Sequence, residues 1–177
     1  MLASEPLILA SEPLISDEYR SLLLRMHKKQ KNFGMGSKRR RWYIASLGFE
    51  DILDYGCGKG KLGIGKKYDP AIPEFSQDPE PADLVVSTDV LEHIEPELLD
   101  NVLSHMKSKM KKAGYFTIGC APAAKKLPNG KNAHLIIKPP EWWITKLSSF
   151  FTVVSYSAHA DSRKRKESLE LEVHLLP

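Results

Sequence analysis

The sequence predicts one α/β domain built on a mostly parallel β-sheet. Three observations predict it. Strand-like and helix-like segments alternate along the chain, a glycine-rich turn directly follows the first strand, and 177 residues suit one domain with a substantial core. The strands near the C-terminus are close together in sequence, which is typical of an antiparallel hairpin closing such a sheet.

The chain begins with a tandem repeat. Residues 2–8 and 9–15 both read Leu-Ala-Ser-Glu-Pro-Leu-Ile. Two short copies, each interrupted by proline, cannot build a solenoid, so this segment is interpreted as a surface extension. The predicted organisation has three parts: an extension at 1–15, N-terminal helices at 16–48 and the α/β domain at 49–177.

Two helices are expected before the sheet begins. Ser16 is placed to cap the first, because acidic residues follow it in the first turn. Ser37 is placed to cap the second, which would run to about Leu47. Gly48 would then end that helix in a left-handed conformation.

Six segments have the character of β-strands. Two further helices are expected, one between the third and fourth of these strands and one between the fourth and fifth. The first begins at Pro96, carries Lys111 and Lys112 in its last turn and ends at Gly114, and the second begins near Glu141. The predicted strands are residues 50–55, 66–68, 82–87, 115–119, 151–157 and 169–176.

The composition favours an ordinary globular chain. No apolar run approaches the roughly 18–20 residues that span a bilayer, and the first residues lack the pattern of a secretory signal. Cys57 and Cys120 cannot form a disulfide framework and have no CxxC spacing, so the sequence predicts no metal site. A cytoplasmic protein without a membrane partner is therefore expected.

The positive charge is unevenly distributed. The formal net charge is +4, and basic runs occur at 28–31, 38–41 and 163–166. Such runs can contact nucleic-acid phosphates, but they are more often solvated helix and turn surfaces. The charge pattern alone does not establish a nucleic-acid partner.

A glycine-rich turn carries the strongest functional signal. Asp54 ends the first predicted strand, and Gly56, Gly58 and Gly60 follow at alternate positions. Glycines there let the backbone turn sharply and approach a ligand closely. The NAD fingerprint G-x-G-x-x-G fits poorly, because position 61 is lysine.

Four segments, in the same order along the chain, resemble those of class I S-adenosylmethionine-dependent methyltransferases. They are residues 54–60, 68–70, 82–94 and 112–118, within a resemblance that covers roughly 52–156. The resemblance implies a Rossmann-like domain, shortened at the sheet edge after strand 2. It also implies S-adenosylmethionine as cofactor and S-adenosylhomocysteine as product.

The resemblance assigns roles to individual residues. Asp54 would orient the cofactor's ammonium, directly or through water, and Asp69 would accept hydrogen bonds from both ribose hydroxyls. Asp78 is a candidate for the adenine amino group. The remaining positions would line the methionine and ribose part or form the wall near the sulfonium, namely Gly56, Cys57, Gly58, Gly60, Asp89, Val90 and Leu91.

The spacing departs from the family pattern in two places. Only nine positions separate Gly60 from Asp69, whereas related folds place that acid about 20 residues beyond the glycines. The stretch 70–82 contains four prolines and cannot hold two helices and a strand. We therefore expect a first crossover of one or two turns or a loop, and a missing edge strand. The N-terminal helices or a partner subunit would then cover the adenine side, and residues 33–37 would help to close the methionine end.

Three polar residues are candidates for the chemistry. His134 lies in the loop after the strand at 115–119, at the sheet edge where α/β folds bind ligands. It is either an active-site residue or a structural loop histidine. Glu92 and His93 closely follow Asp89. Glu92 is either catalytic or a cap for the helix that begins at Pro96.

The sequence therefore favours a methyltransferase acting on a small-molecule acceptor, as a monomer or homodimer. Two alternatives stay open. One is a nucleic-acid or protein methyltransferase that docks through the basic runs, although an N/D-P-P-Y/F tetrapeptide is absent. The other is a non-catalytic cofactor-binding or interaction protein, which the short crossovers would favour.

Overall fold

The structure is a computed structural model that describes residues 12–29, 37–160 and 169–177. These residues form one six-stranded sheet with helices on both faces. The strands are β1 (Ile52–Tyr55), β2 (Lys66–Tyr68), β3 (Ala82–Thr88), β4 (Met110–Gly119), β5 (Thr152–Ala160) and β6 (Leu169–Leu176). The α-helices are α1 (Asp17–Lys29), α2 (Arg41–Ser46), α3 (Leu99–Lys109) and α4 (Pro140–Ser148).

The strand order in the sheet is β2-β1-β3-β4-β6-β5. Strand β1 pairs in parallel with β2 and β3, and β4 continues the parallel part beside β3. Strand β6 is antiparallel to both β4 and β5. The predicted fold class, a mostly parallel Rossmann-like sheet with a C-terminal antiparallel hairpin, is confirmed.

The sheet is shortened where the spacing predicts it. The connection from β1 to β2 contains turns but no helix, and β2 is the edge strand. Between β2 and β3 the only regular structure is one turn of 3-10 helix, Pro73–Phe75. An additional edge strand and its crossover helices are therefore absent between these two strands.

Alternate residues of the central strands face two different cores. On one face, Leu53 and Phe116 pack with α3 and α4, and Trp143 of α4 is fully buried there. On the other face, Leu84 packs with Ile44 of α2. Because both faces are covered, the central strands are almost continuously apolar, as expected for a parallel sheet.

The N-terminal helices begin and end close to the predicted residues. The Ser16 hydroxyl accepts a hydrogen bond from the Tyr19 N–H, 3.1 Å away, and caps α1. Ser37 begins a 3-10 turn that runs into α2, and Gly48 follows with φ of +78°. Residues 1–11 of the tandem repeat and the basic run at 163–166 lie outside the described residues.

The predicted end of the helix before β4 is wrong. Helix α3 ends at Lys109, and β4 already begins at Met110, so Lys111, Lys112 and Gly114 belong to the strand. The strand is extended by pairing with β3 and by two ion pairs, from Lys111 to Asp51 and from Lys112 to Asp83. Lysine is a good helix former, but intrinsic propensity is a weak preference, and these long-range contacts override it. None of the described helices has the length and apolar character to cross a bilayer.

Substitution of Gly65 tests how tightly the β1–β2 connection is packed. The φ of Gly65 is +76°, and a Cβ there would lie 2.8 Å from the carbonyl oxygen of Ile52. We expect Gly65→Ala to lower the free energy of unfolding by at least about 2–3 kcal/mol, since backbone strain and a clash with strand β1 combine. Urea denaturation measures it.

Gly48→Ala is the matched control. Gly48 has nearly the same φ, +78°, but no atom lies within 4 Å of its Cβ position. Only the backbone strain of about 1–2 kcal/mol is expected there. Equal losses in both variants would contradict the steric role of Gly65.

Candidate functional site

A cavity of about 340 Å³ lies at the carboxyl edge of the parallel strands, between that edge and helix α1. Its volume is within the range of small-molecule sites. Residues from the ends of β1, β3 and β4 meet there with the N-terminal helix. The lining includes Tyr19, Leu23, His27, Asp54, Gly56, Cys57, Gly58, Asp69, Thr88, Asp89, Val90, Glu92, His93, Gly119, His134 and Glu170.

The glycine turn is tied to the end of β2. The backbone N–H groups of Gly56 and Cys57 both donate to the carbonyl oxygen of Tyr68, at 2.8 and 3.0 Å. Gly56 has φ of +76°, and a Cβ there would lie 2.5 Å from Cγ1 of Val90. Only glycine fits at this position, because any side chain would displace Val90 from the cavity wall.

Asp69 holds the turn from the other side. One carboxylate oxygen accepts a hydrogen bond from the Gly58 N–H at 2.8 Å, and the other accepts one from the Ala71 N–H at 2.9 Å. Burial raises the pKa of Asp69, while these hydrogen bonds oppose the rise. A carboxylate has about four acceptor sites, so its capacity for further donors is not exhausted.

Asp54 lies at the end of β1 beside Asp69. It is only 3 % exposed. Burial first, and then the nearby Asp69 carboxylate, raise the pKa of Asp54 to about 7, while Lys67 opposes the rise. A buried carboxylate of this kind is stabilised by any cation that enters the cavity.

A second polar cluster in the cavity lining consists of Glu92, His93 and His134. Glu92 is 1 % exposed, and its Oε1 accepts a hydrogen bond from the Gly119 N–H at 2.7 Å. Nε2 of His134 lies 3.9 Å from the same oxygen, and the two imidazole rings pack edge to face with centroids 4.8 Å apart. The Glu92 side chain does not cap the turn at Pro96, so that alternative is wrong.

Asp89 also lines the cavity, near Glu92, and its backbone is strained. Among the described residues it is the only one other than glycine with positive φ, at 56°. Its N–H donates to the Thr117 carbonyl oxygen at 3.0 Å, and its carboxylate accepts from the Thr117 hydroxyl at 3.0 Å. Strain held in place by such contacts is common at ligand sites.

Helix α1 covers the cavity. The Tyr19 hydroxyl donates to the carbonyl oxygen of His93 at 2.6 Å, and the Ser16 hydroxyl donates to Glu95 at 2.6 Å. His27 lies against the glycine turn, where burial and Lys59 lower its pKa to about 4. Helix α1 therefore covers part of the cavity, whereas α2 packs in the core on the sheet.

Three residues with predicted cofactor roles lie outside the cavity lining. Asp78 is exposed and pairs with His105 and Lys109 instead, because the short stretch before β3 leaves it on the surface. Leu91 is fully buried in the main core. Gly60 faces the Lys67 side chain and not the cavity. Of residues 33–37, only Ser37 is described, and it lines the cavity.

Tyr19, His27 and Glu170 are among the lining residues that were not predicted from the sequence. Tyr19 and His27 belong to the helix that Ser16 caps, to which the sequence pattern assigns no site role. Glu170 was interpreted as part of the closing strand, yet it is 6 % exposed and pairs with Arg39 and Arg40. Glu170 alternates with Leu171, Val173 and Leu175 along β6, so the sequence pattern places it on the polar face of the strand and gives no signal of a buried lining residue.

Comparison with known proteins gave matches by structure but not by sequence. No protein-family model matches the chain, and no curated protein matches it. All of the structural matches described next are at most 16 % identical, so they carry information on the fold alone.

Three solved methyltransferases show the likeness. The 1,6-didemethyltoxoflavin-N1-methyltransferase of Burkholderia thailandensis, solved with its acceptor and S-adenosylhomocysteine, has a TM-score of 0.64 at 16 % identity, covering 94 % of this chain and 92 % of that one. The N-methyltransferase NodS of Bradyrhizobium japonicum WM9, solved with S-adenosylhomocysteine, gives 0.60 at 16 % identity over 90 % and 98 %. Magnesium protoporphyrin IX methyltransferase of Synechocystis PCC 6803, solved with S-adenosylmethionine, gives 0.55 at 15 % identity over 93 % and 99 %. The chain thus has the fold of the class I S-adenosylmethionine-dependent methyltransferases, in a form shortened at one sheet edge.

Proposed function

We propose that this chain is a methyltransferase that transfers the methyl group of S-adenosylmethionine to a small-molecule acceptor. The observation that carries the proposal is the arrangement of Asp54, Asp69 and the glycine turn around one cavity at the carboxyl edge of the sheet. S-Adenosylmethionine carries a cationic ammonium and a cationic sulfonium. Buried carboxylates beside an apolar wall suit both charges and the neutral adenosyl group.

The cofactor would lie across the glycine turn. Asp69 is the candidate for the ribose hydroxyls, since it is already fixed by the Gly58 and Ala71 N–H groups. Asp54 is the candidate for the ammonium. Asp89 and Val90 would form the wall near the sulfonium. Gly60, Asp78 and Leu91 are not part of this proposed site, because they lie outside the cavity lining.

The acceptor would enter at the end that carries Glu92, His93 and His134. Methyl transfer is an in-line displacement, so positioning and exclusion of water supply much of the rate. A general base is needed only when the acceptor must lose a proton, and His134 is the candidate for that role. The three solved methyltransferases named above include enzymes whose names specify a toxoflavin precursor and a porphyrin as acceptors.

Ion pairing within the basic run at 38–41 favours a small acceptor over a nucleic acid. Arg39 and Arg40 pair with Glu170, and Arg40 also pairs with Glu172. These guanidinium groups are thus neutralised within the chain. The cavity itself lies beneath helix α1, which suits a compact acceptor.

The first prediction concerns cofactor binding. We expect calorimetric titration to give micromolar binding of S-adenosylhomocysteine and at least a tenfold loss in Asp69→Ala, because that variant removes the ribose acceptor and the support of Gly58. Asp78→Ala is the matched control, an aspartate on the same crossover that lies outside the cavity and keeps wild-type affinity. Equal losses in both variants, or no binding to the folded wild-type protein, would overturn the proposal.

The second prediction concerns pH. Below pH 7 the unliganded Asp54 carboxyl is largely protonated and must ionise to pair with an ammonium. We therefore expect affinity for S-adenosylhomocysteine to rise roughly tenfold from pH 5.5 to 7 and then level off. Asp54→Asn should flatten most of this rise, leaving only what Asp69 contributes with its own raised pKa. An unchanged profile in Asp54→Asn would contradict the role of Asp54.

The third prediction concerns the acceptor end. With an acceptor found by a radiolabelled methyl-transfer screen, we expect His134→Ala to lower turnover by roughly 10²-fold or more. The Kd of S-adenosylhomocysteine should change by less than about threefold. His159→Ala, which alters an exposed histidine on β5, controls for general effects. Turnover preserved in His134→Ala would make His134 a structural loop residue.

A further inference from the structure

Three side chains at the acceptor end form a cluster with the composition of a metal site. Glu92, His93 and His134 each present one ligand-type atom, and these atoms all lie within 4.8 Å of one another. All three residues line the cavity. They come from two separate chain segments that the fold brings together, after β3 and after β4.

Backbone carbonyls fix the orientation of both imidazole rings. Nδ1 of His93 lies 2.7 Å from the carbonyl oxygen of Ala133, and Nδ1 of His134 lies 2.5 Å from that of Ala121. A carbonyl oxygen only accepts, so each Nδ1 carries the proton. In the neutral ring Nε2 then has the lone pair. Metal-binding histidines typically have this arrangement, with one ring nitrogen donating to a carbonyl or carboxylate.

Glu92 supplies the carboxyl group. It is 1 % exposed, and while Oε1 accepts from the Gly119 N–H, the buried Oε2 has no hydrogen-bond partner. The acidic side chains of Asp89 and Glu170 also lie near Glu92. A buried, half-satisfied carboxylate beside other acids is unfavourable alone, and a bound cation removes that penalty.

We propose that Glu92, His93 and His134 bind a divalent first-row transition-metal ion inside the cavity. Two imidazoles and one carboxylate suit Zn²⁺, Fe²⁺, Co²⁺ or Mn²⁺ better than Mg²⁺, which prefers oxygen ligands. Bonds of 2.0–2.1 Å in tetrahedral geometry place ligand atoms roughly 3.3 Å apart, so side-chain shifts of about 1 Å close the site. This site goes beyond the cofactor site proposed above and differs from the sequence expectation of no metal.

Three protein ligands leave coordination positions for water or an acceptor oxygen. With the ion bound, Glu92 and His134 act on the acceptor through the metal rather than as free bases. A metal ion lowers the pKa of a coordinated hydroxyl, so an acceptor with an ionisable oxygen fits this end of the cavity.

Metal binding is measured directly on the full chain. After dialysis against EDTA, the protein is titrated with Mn²⁺, followed by electron paramagnetic resonance, and with Zn²⁺ and Mg²⁺ by calorimetry. We expect one equivalent of Zn²⁺ or Mn²⁺ to bind with a Kd in the micromolar range or tighter, and Mg²⁺ to bind at least tenfold more weakly. Bound Co²⁺ should give a visible spectrum characteristic of nitrogen ligation.

Variants assign the ligands. Glu92→Gln and His134→Ala should each weaken Mn²⁺ binding at least tenfold and change the Co²⁺ spectrum. The exposed His159→Ala is the control and should match the wild type. Thermal unfolding of every variant identifies any that fail to fold, and His93→Ala then serves as a replacement test of the same site.

Titration with S-adenosylhomocysteine in the same samples separates this inference from the proposed function. Cofactor binding without stoichiometric metal, or metal binding unaffected by Glu92→Gln and His134→Ala, overturns the metal site alone. Metal binding without cofactor binding supports the metal site and overturns the methyltransferase proposal.

Discussion

Two hydrogen bonds, from the N–H groups of Gly56 and Cys57 to the Tyr68 carbonyl oxygen, close the first crossover of the sheet, and the cavity depends on them. The connection between β1 and β2 is only residues 56–65, near the minimum length for a parallel crossover. It contains no helix, so the glycine turn itself must reach the edge strand. This contact between the glycine turn and the end of β2 brings the Gly58 N–H to the Asp69 carboxylate and places Asp54 near Asp69.

Helix α1 belongs to the site although it is not part of the sheet. Strand β2 is an edge strand, and no described strand or helix extends the sheet beyond it. Helix α1 packs over the cavity instead, fixed by Tyr19 to the backbone of His93 and through Ser16 to Glu95. Its own small cluster, which includes Met26 and Leu127, joins it to the loop that carries His134. One helix therefore contacts both the glycine turn and the acceptor end.

Local signals in the sequence predict most of the fold. A serine cap, a left-handed glycine and short apolar strands mark the element boundaries at Ser16, Gly48 and β1 to β3 because each reflects chemistry within a few residues. The boundary at Lys109 was mispredicted because long-range pairing decides it, and lysine-rich sequence and Gly114 resemble a helix end. The lining residues on α1 and Glu170 on β6 could not be predicted, since only tertiary packing brings them to the cavity.

The acids and histidines give the cavity lining two chemically distinct groups. Asp54 and Asp69 place two buried carboxyl groups beside the glycine turn, where the proposed cationic cofactor would lie, and Glu92 forms the second group with its two histidines. Gly56 and Val90 form part of the cavity wall, and Val90 leaves no room for a side chain at position 56. A methyl donor and an acceptor would thus meet near Asp89, whose strained backbone is held by Thr117.

A crystal structure of the protein with S-adenosylhomocysteine tests the central claim most directly. The account predicts the ribose against Asp69, the ammonium near Asp54 and the thioether sulfur directed toward Glu92 and His134. Density for the ligand at another surface, or a cavity that stays closed to it at saturating concentration, would contradict the account.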